Sequence, residues 1–163
     1  TSIAASRKIF NIKDDDIING IQNISLKGRL EEIKSGKLKV IAGNNRLIVD
    51  GGHNISASLS IANWIKNQNQ EVNLIVGMMK DKEHIEFIKA FRNVVNSITL
   101  IDIPNQDGAI SKEDLESKLN DLNLNIKRSQ SIESAIKSLS KNKNTITVCI
   151  GSLYLAGEIL KLN

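Results

Sequence analysis

The run Asp50-Gly51-Gly52-His53-Asn54 places a carboxylate, two glycines, an imidazole and a carboxamide directly after the apolar residues Leu47-Ile48-Val49. The apolar residues read as the end of a buried strand, and a helical pattern with small residues begins after Asn54. At such a strand end Asp50 can accept hydrogen bonds from two ribose hydroxyls; it can equally end the strand or cap the next helix. The glycines allow a sharp turn and a close ligand. His53 and Asn54 stand at a helix start, where free N–H groups and a partial positive charge suit an anion. His53 can therefore meet a phosphate or a substrate carboxylate, or serve as an ordinary cap or surface group. Asn54 is the expected N-cap.

Two later strands end in the same style. Gly77-Met78-Met79-Lys80-Asp81-Lys82 sets one acid and two cations after the first, at the same sheet edge, or is simply a solvated loop. Gly151-Ser152 follows the second, and Ser152 can cap a helix, bind a ligand carboxylate, or both. Arg29, beside Gly28, can clamp a phosphate, stack on a base, or remain solvated. Ligands of open α/β sheets bind past the carboxyl ends of strands, so these loops are expected on one edge.

Other chemistries find no pattern. Two histidines (His53 and His84) and one cysteine (Cys149) cannot make a zinc site, and no metal ligands are expected in this chain. There is no Gly-x-x-x-x-Gly-Lys-Ser/Thr run, no Gly-x-Gly-x-x-Gly, and no spacing that marks a nucleophile triad. No residue of the chain is assigned a catalytic role. The net charge of +4 is spread out and aromatics are only 3%, which argues against nucleic acid as a partner. No apolar run is long enough to span a membrane, and a lone cysteine in an apolar run suits inert core in a reducing, cytoplasmic setting. The chain opens on Thr1, and an original N-terminus is expected upstream.

The elements that must position these loops follow from periodicity. With 163 residues there is room for one domain and a small appendage. Residues 1–26 read as two short helices, Ile3 to Phe10 and Asp16 to Ile24, with Asp14 or Asp15 as N-cap and an Ile17, Ile18, Ile21 stripe that must dock on something else. Lys37 to Ala42 alternates like a strand, and with Gly43-Asn44-Asn45 and Arg46 to Asp50 predicts a hairpin. After it come helix, strand (Val72 to Val76), helix (Ile85 to Val95), strand (Ile98 to Ile103, stopped by Pro104), helix capped at Ser111, a short strand (Leu124 to Lys127), helix, strand (Ile146 to Ile150) and a closing helix. This alternation predicts an α/β fold, a Rossmann-like, mostly parallel sheet with helices on both faces.

Gly28-Arg29-Leu30, Val49-Asp50-Gly51-Gly52-His53-Asn54, Gly77-Met78-Met79-Lys80-Asp81-Lys82 and Gly151-Ser152-Leu153-Tyr154-Leu155-Ala156-Gly157-Glu158, in that order, resemble the C-terminal part of folylpolyglutamate synthase/dihydrofolate synthase, of the Mur ligase superfamily. The likeness covers about residues 15–162. Ile55 departs from it, replacing a proline, and Leu26-Lys27 replaces Trp-Pro.

The resemblance implies residues 27–163 as a Mur ligase C-terminal (glutamate ligase) domain. Residues 1–26 would be the terminal helices of the preceding ATP-binding domain, which would hold the P-loop and Mg²⁺ ligands. It implies Arg29 and Asp50 as ATP-binding residues, His53 and Ser152 near the incoming glutamate or an acyl-phosphate, and Asp81 and Lys82 on the rim. The implied activity is ATP-dependent addition of L-glutamate to folate or dihydropteroate, in folate biosynthesis and one-carbon metabolism. It also implies that this fragment alone is inactive, and that Asp50→Ala weakens ATP use while leaving the fold intact. The competing readings are another Mur-type ligase, such as one acting on a cell-wall precursor, and a non-catalytic nucleotide-binding or interaction module.

Overall fold

A computed structural model of the chain describes residues 2–24 and 26–163. Thr1 and Ser25, both within the 1–26 segment, lie outside the described residues. Six strands form one sheet: β1 (Glu31–Glu32), β2 (Arg46–Val49), β3 (Val72–Val76), β4 (Ser97–Leu100), β5 (Ile126–Arg128) and β6 (Ile146–Ile150). Their order across the sheet is β1-β2-β6-β3-β4-β5, and every pairing is parallel except β1 on β2. This is the α/β architecture that the alternation predicted. β2, β3 and β6 are Val/Ile/Leu-rich, as strands covered on both faces must be.

Alternate residues along those strands feed two separate cores. Ile48, Leu74, Val76, Val148 and Ile150 face one side, covered by α4 (Ile55–Lys66), α5 (His84–Lys89) and α6 (Lys112–Leu119). Leu47, Val49, Ile75 and Cys149 face the other, covered by α3 (Lys37–Ala42), α7 (Ile132–Leu139) and α8 (Leu153–Leu162). Burial pushes the Cys149 thiol up to about 12, so it stays a neutral core group. Among the described residues no helix is long and apolar enough to cross a membrane.

Lys37 to Ala42 is a helix, α3, and not the first strand of a hairpin. Leu38 and Ala42, four residues apart, are buried together, while Val40 is 80% exposed. A short apolar run fits both periods, and here tertiary contact with α7 and α8 decides. Asn163 fixes the start of α3: its side chain accepts the Leu38 N–H at 3.1 Å and donates to the Ser35 carbonyl at 2.8 Å. The antiparallel partner of β2 is the two-residue β1. Arg46 ties the two strands, its Nε and Nη2 donating to the two Glu32 carboxylate oxygens at 3.1 and 3.0 Å. The helix expected to run on to Val95 stops at Lys89, and Asn93 then takes a left-handed conformation.

The N-terminal helices are α1 (Ser2–Ile9) and α2 (Asp14–Gln22). The N-cap position of α2 falls on Lys13, not on Asp14 or Asp15. All three aspartates, Asp14 to Asp16, occupy its first turn, where negative charge is favoured. Asp16 accepts the Lys13 N–H at 3.3 Å. Among the described residues neither core contains one from α1 or α2, and Ile18 and Ile21 are half-exposed.

Because Arg46 is hydrogen-bonded to it, the Glu32 carboxyl lies below the ordinary glutamate range, with partial burial opposing. A depressed folded pKa gives stability that is complete above the unfolded value, about 4.3, and is lost as pH falls through the folded value. The melting temperature is therefore expected to fall on acidification below about pH 4, with Glu32→Gln showing less of that fall and a lower melting temperature at neutral pH. Melting curves across pH for both proteins check this; matching acid profiles would show that the pair contributes nothing.

Candidate functional site

The parallel register brings Val49, Cys149 and Ile75 level across the sheet, so the loops after β2, β6 and β3 leave side by side. Two of these loops lead to helices on one face (α4 and α5), and the loop after β6 leads to a helix on the other (α8). A crevice opens where the paths diverge, as at the switch point of an open sheet. The loops are joined by backbone hydrogen bonds: Gly151 N–H to the Gly52 carbonyl at 3.0 Å, Gly77 N–H to the Ile150 carbonyl at 3.3 Å, and Gly51 N–H to the Gly28 carbonyl at 2.8 Å.

The crevice is a cleft of about 550 Å³ lined by His53, Met79, Lys80, Asp81, Lys82, Gly108, Ser152, Leu153 and Tyr154. Four of the candidate residues, His53, Asp81, Lys82 and Ser152, therefore line one cleft. His53 Nδ1 lies 3.0 Å from the Gly51 carbonyl. A carbonyl only accepts, so Nδ1 carries the proton and Nε2 is the ring nitrogen left for a ligand. Asp81 pairs with Lys82 Nζ at 2.8 Å, and that hydrogen bond holds the Asp81 carboxyl below its usual range. Ser152 is 2% exposed and caps α8, accepting the Tyr154 N–H at 3.1 Å. Asn54 caps α4 through the Ala57 N–H at 2.9 Å, as expected.

Asp50 and Arg29 lie beside this cleft and not in its lining. Asp50 is 6% exposed. One carboxylate oxygen accepts the Gly52 N–H at 2.6 Å, and the other accepts the Leu30 N–H at 2.8 Å. Arg29 is exposed, and among the described residues its guanidinium has no hydrogen bond or ion pair.

A family model described as dihydrofolate synthetase, C-terminal domain, matches residues 34–162. The chain belongs to this family. A probable dihydrofolate synthetase of Schizosaccharomyces pombe (strain 972 / ATCC 24843) is 23% identical over 169 residues, which cover 93% of this chain and 38% of that protein. Among solved structures, bifunctional folylpolyglutamate synthase/dihydrofolate synthase from Yersinia pestis, complexed with AMPPNP and Mn ion, shares the fold at TM-score 0.75. Its identity is 19%, over 92% of this chain and 34% of its own. E. coli FolC in complex with DHPP and ADP does so at TM-score 0.71 and 21% identity, over 93% of this chain and 34% of its own. The chain spans little more than a third of the length of these relatives.

For this member of the family, sequence reasoning misses part of the cleft. Gly108 comes from the loop after β4, where Pro104 marks only the end of a strand. The turn signal Asn105-Gln106-Asp107-Gly108 is the available clue. That loop is zipped to the loop after β3: Lys80 N–H donates to the Gly108 carbonyl at 2.9 Å and Lys80 Nζ to the Asp107 carbonyl at 3.0 Å. His84 Nε2 lies 2.9 Å from the Met79 carbonyl and steadies the same wall. Leu153 and Tyr154, both half-exposed, supply its apolar part. The glycines also serve a different need from ligand approach. A Cβ on Gly151 would lie 2.7 Å from the Gly77 carbonyl oxygen, and one on Gly51 would overlap the Leu153 side chain.

The expectation that Asp50→Ala leaves the fold intact does not fit this geometry. Truncation strips acceptors from two backbone donors, at about 1–3 kcal/mol for each one left unsatisfied. Asp50→Ala is expected to lower unfolding stability by about 2–4 kcal/mol, with Asp50→Asn losing less because its amide oxygen keeps one acceptor. Chemical denaturation of the three proteins checks this, and an unchanged midpoint for Asp50→Ala would show that the two hydrogen bonds carry no weight.

Proposed function

We propose that this chain is the C-terminal domain of an ATP-dependent ligase that adds L-glutamate to dihydropteroate or folate, working in the cytoplasm. In this reading residues 1–26 are the last helices of the preceding ATP-binding domain, and residues 27–163 are the glutamate ligase domain. The half-exposed Ile18 and Ile21, outside both cores, support that division. The observation that carries the reading is the cleft at the carboxyl edge of the sheet. In a chain of this family, it gathers His53, Lys80, Lys82 and Ser152 where strand order and helix side diverge.

The residues fit a nucleoside triphosphate shared with a second domain. Arg29 offers a guanidinium unpaired among the described residues, a group that takes phosphate oxygens in a fork. Asp50 has about four lone-pair sites, two of them on backbone donors, and the rest remain for the ribose or adenine side. A divalent metal fits differently. Among the described residues no three His, Cys, Asp or Glu side chains converge; in this reading the Mg²⁺ ligands belong to the preceding domain, as the family resemblance implies.

The substrate carboxylate takes the γ-phosphoryl group of ATP, the bond from the γ-phosphorus to the β–γ bridging oxygen breaks, ADP leaves and an acyl-phosphate forms. The neutral amine of L-glutamate attacks the acyl carbon, the carbon–oxygen bond to phosphate breaks, phosphate leaves, the nitrogen gives up a proton to solvent, and an amide remains. His53 through Nε2, and Ser152 at the start of α8, border the glutamate carboxylate or the acyl-phosphate. Asp81 and Lys82 form the rim, where Lys82 keeps its ion pair until an anion competes for it. The task of these residues is positioning and charge stabilisation, which is most of what phosphoryl transfer asks of a protein.

The protein carrying this chain is expected to consume ATP in the presence of L-glutamate and dihydropteroate or folate, and not with a cell-wall precursor as acceptor. The purified 163-residue chain is expected to show no turnover with either acceptor. Product analysis by mass spectrometry checks both. Glutamylation of a cell-wall precursor would move the protein to another Mur-type branch. ATP binding without amide formation would favour a nucleotide-binding module, and turnover by the chain alone would refute the division of labour.

A further inference from the structure

The turn that carries Arg29 is held at more points than an exposed loop requires. Gly28 and Leu30, on either side of Arg29, both have positive φ, +63° and +42°. For leucine this is a strained region, and it persists only where the surroundings over-determine it. Four hydrogen bonds do so here. Gly28 N–H donates to Glu31 Oε2 at 2.7 Å, and Leu30 N–H donates to Asp50 Oδ2 at 2.8 Å. The Gly28 carbonyl accepts the Gly51 N–H at 2.8 Å, and Arg29 N–H reaches the Leu26 carbonyl at 3.3 Å. All of them hold the backbone, and none uses the Arg29 side chain.

Glu31 is the acid nearest to Arg29 in sequence, and its carboxylate is bonded to Gly28 and Lys27 and not to the Arg29 guanidinium. Its second oxygen accepts from Lys27 Nζ at 3.1 Å, so both oxygens are engaged. The Gly28 N–H, and after it Lys27, hold the Glu31 carboxyl below the ordinary range, so it stays ionised at neutral pH. The pairing of Glu31 with Val49 sets the turn beside Asp50 at the carboxyl edge. With the backbone of the turn already fixed, the loop-ordering cost of bringing Arg29 to an anion is avoided, and among the described residues no acid pairs with its guanidinium.

We infer that Glu31 is a positioning residue for Arg29: with Asp50 it clamps the turn from both sides, so that the unpaired guanidinium faces the triphosphate of the nucleotide. The inference rests on the reading of Arg29 as a phosphate ligand given above.

A double-mutant cycle in the full-length protein carrying this chain tests it, with KM for ATP and kcat measured for wild type, Arg29→Ala, Glu31→Ala and the double variant. Arg29→Ala is expected to raise KM at least about tenfold, as the loss of a charge-assisted contact should. Glu31→Ala is expected to raise KM about five- to tenfold when Arg29 is present and less than about twofold when it is not, because coupled residues do not add. Glu31→Gln, which keeps an oxygen for the Gly28 N–H, recovers most of that loss. An equal effect of Glu31→Ala in both backgrounds overturns the positioning role while leaving the phosphate reading intact. An unchanged KM for Arg29→Ala overturns the phosphate reading and the inference with it. If Glu31→Ala does not fold, Glu31→Asp, one methylene short of the Gly28 N–H, takes its place in the cycle with the same outcomes.

Discussion

Three loops meet at the carboxyl edge of this sheet because their backbones can touch. The Gly151 N–H bonds to Gly52, and the position of a Gly151 Cβ is already filled by the Gly77 carbonyl. Gly151 also has φ +114°, a conformation that other residues rarely adopt. The cleft and the helix start at Ser152 are set by this contact, and the Arg29 turn joins the same edge through the Gly51 N–H on the Gly28 carbonyl. A side chain placed there would push the β6 loop off the β3 loop and disturb the cleft that Ser152 and Lys82 line together.

Around that contact the polar groups have two kinds of task. Asp50, Glu31, Ser152 and Asn54 spend their oxygens on backbone N–H groups, which fixes loop shape. Arg29, Lys80, Lys82 and His53 stand further out, and their side chains carry a charge or, at His53 Nε2, a nitrogen without a protein partner among the described residues. Buried carboxylates are costly unless hydrogen-bonded, and Asp50 meets that condition through backbone donors instead of a cation. No cation is spent on neutralising it: Lys82 pairs with Asp81 and Lys80 Nζ donates to the Asp107 carbonyl.

The repeated strand–helix pattern is legible in the sequence because its signals are local. Strands buried on both faces read as short apolar runs, here Leu47-Ile48-Val49 and Val148-Cys149-Ile150, and the Ser111, Asn54 and Ser152 caps are written in single residues. The α3 segment is not legible in the same way, because Leu38-Lys39-Val40-Ile41 satisfies a strand period as well as a helical one. Only the apolar surface offered by α7 and α8, far along the chain, chooses between them. The two-residue β1 escapes for a related reason: Glu31-Glu32 has no strand propensity, and its place depends on Arg46 and on the edge of β2.

The sequence by itself determined the α/β class, the loops that carry Asp50, His53, Lys82 and Ser152, and the family, since order along the chain and local period suffice for these. Tertiary structure alone decided that β6 lies between β2 and β3, that Gly108 and Tyr154 complete the cleft, and that Asp50 and Glu31 hold the Arg29 turn. Strand order and hydrogen-bond partners depend on which distant groups are brought within about 3 Å, a distance condition that no local pattern encodes.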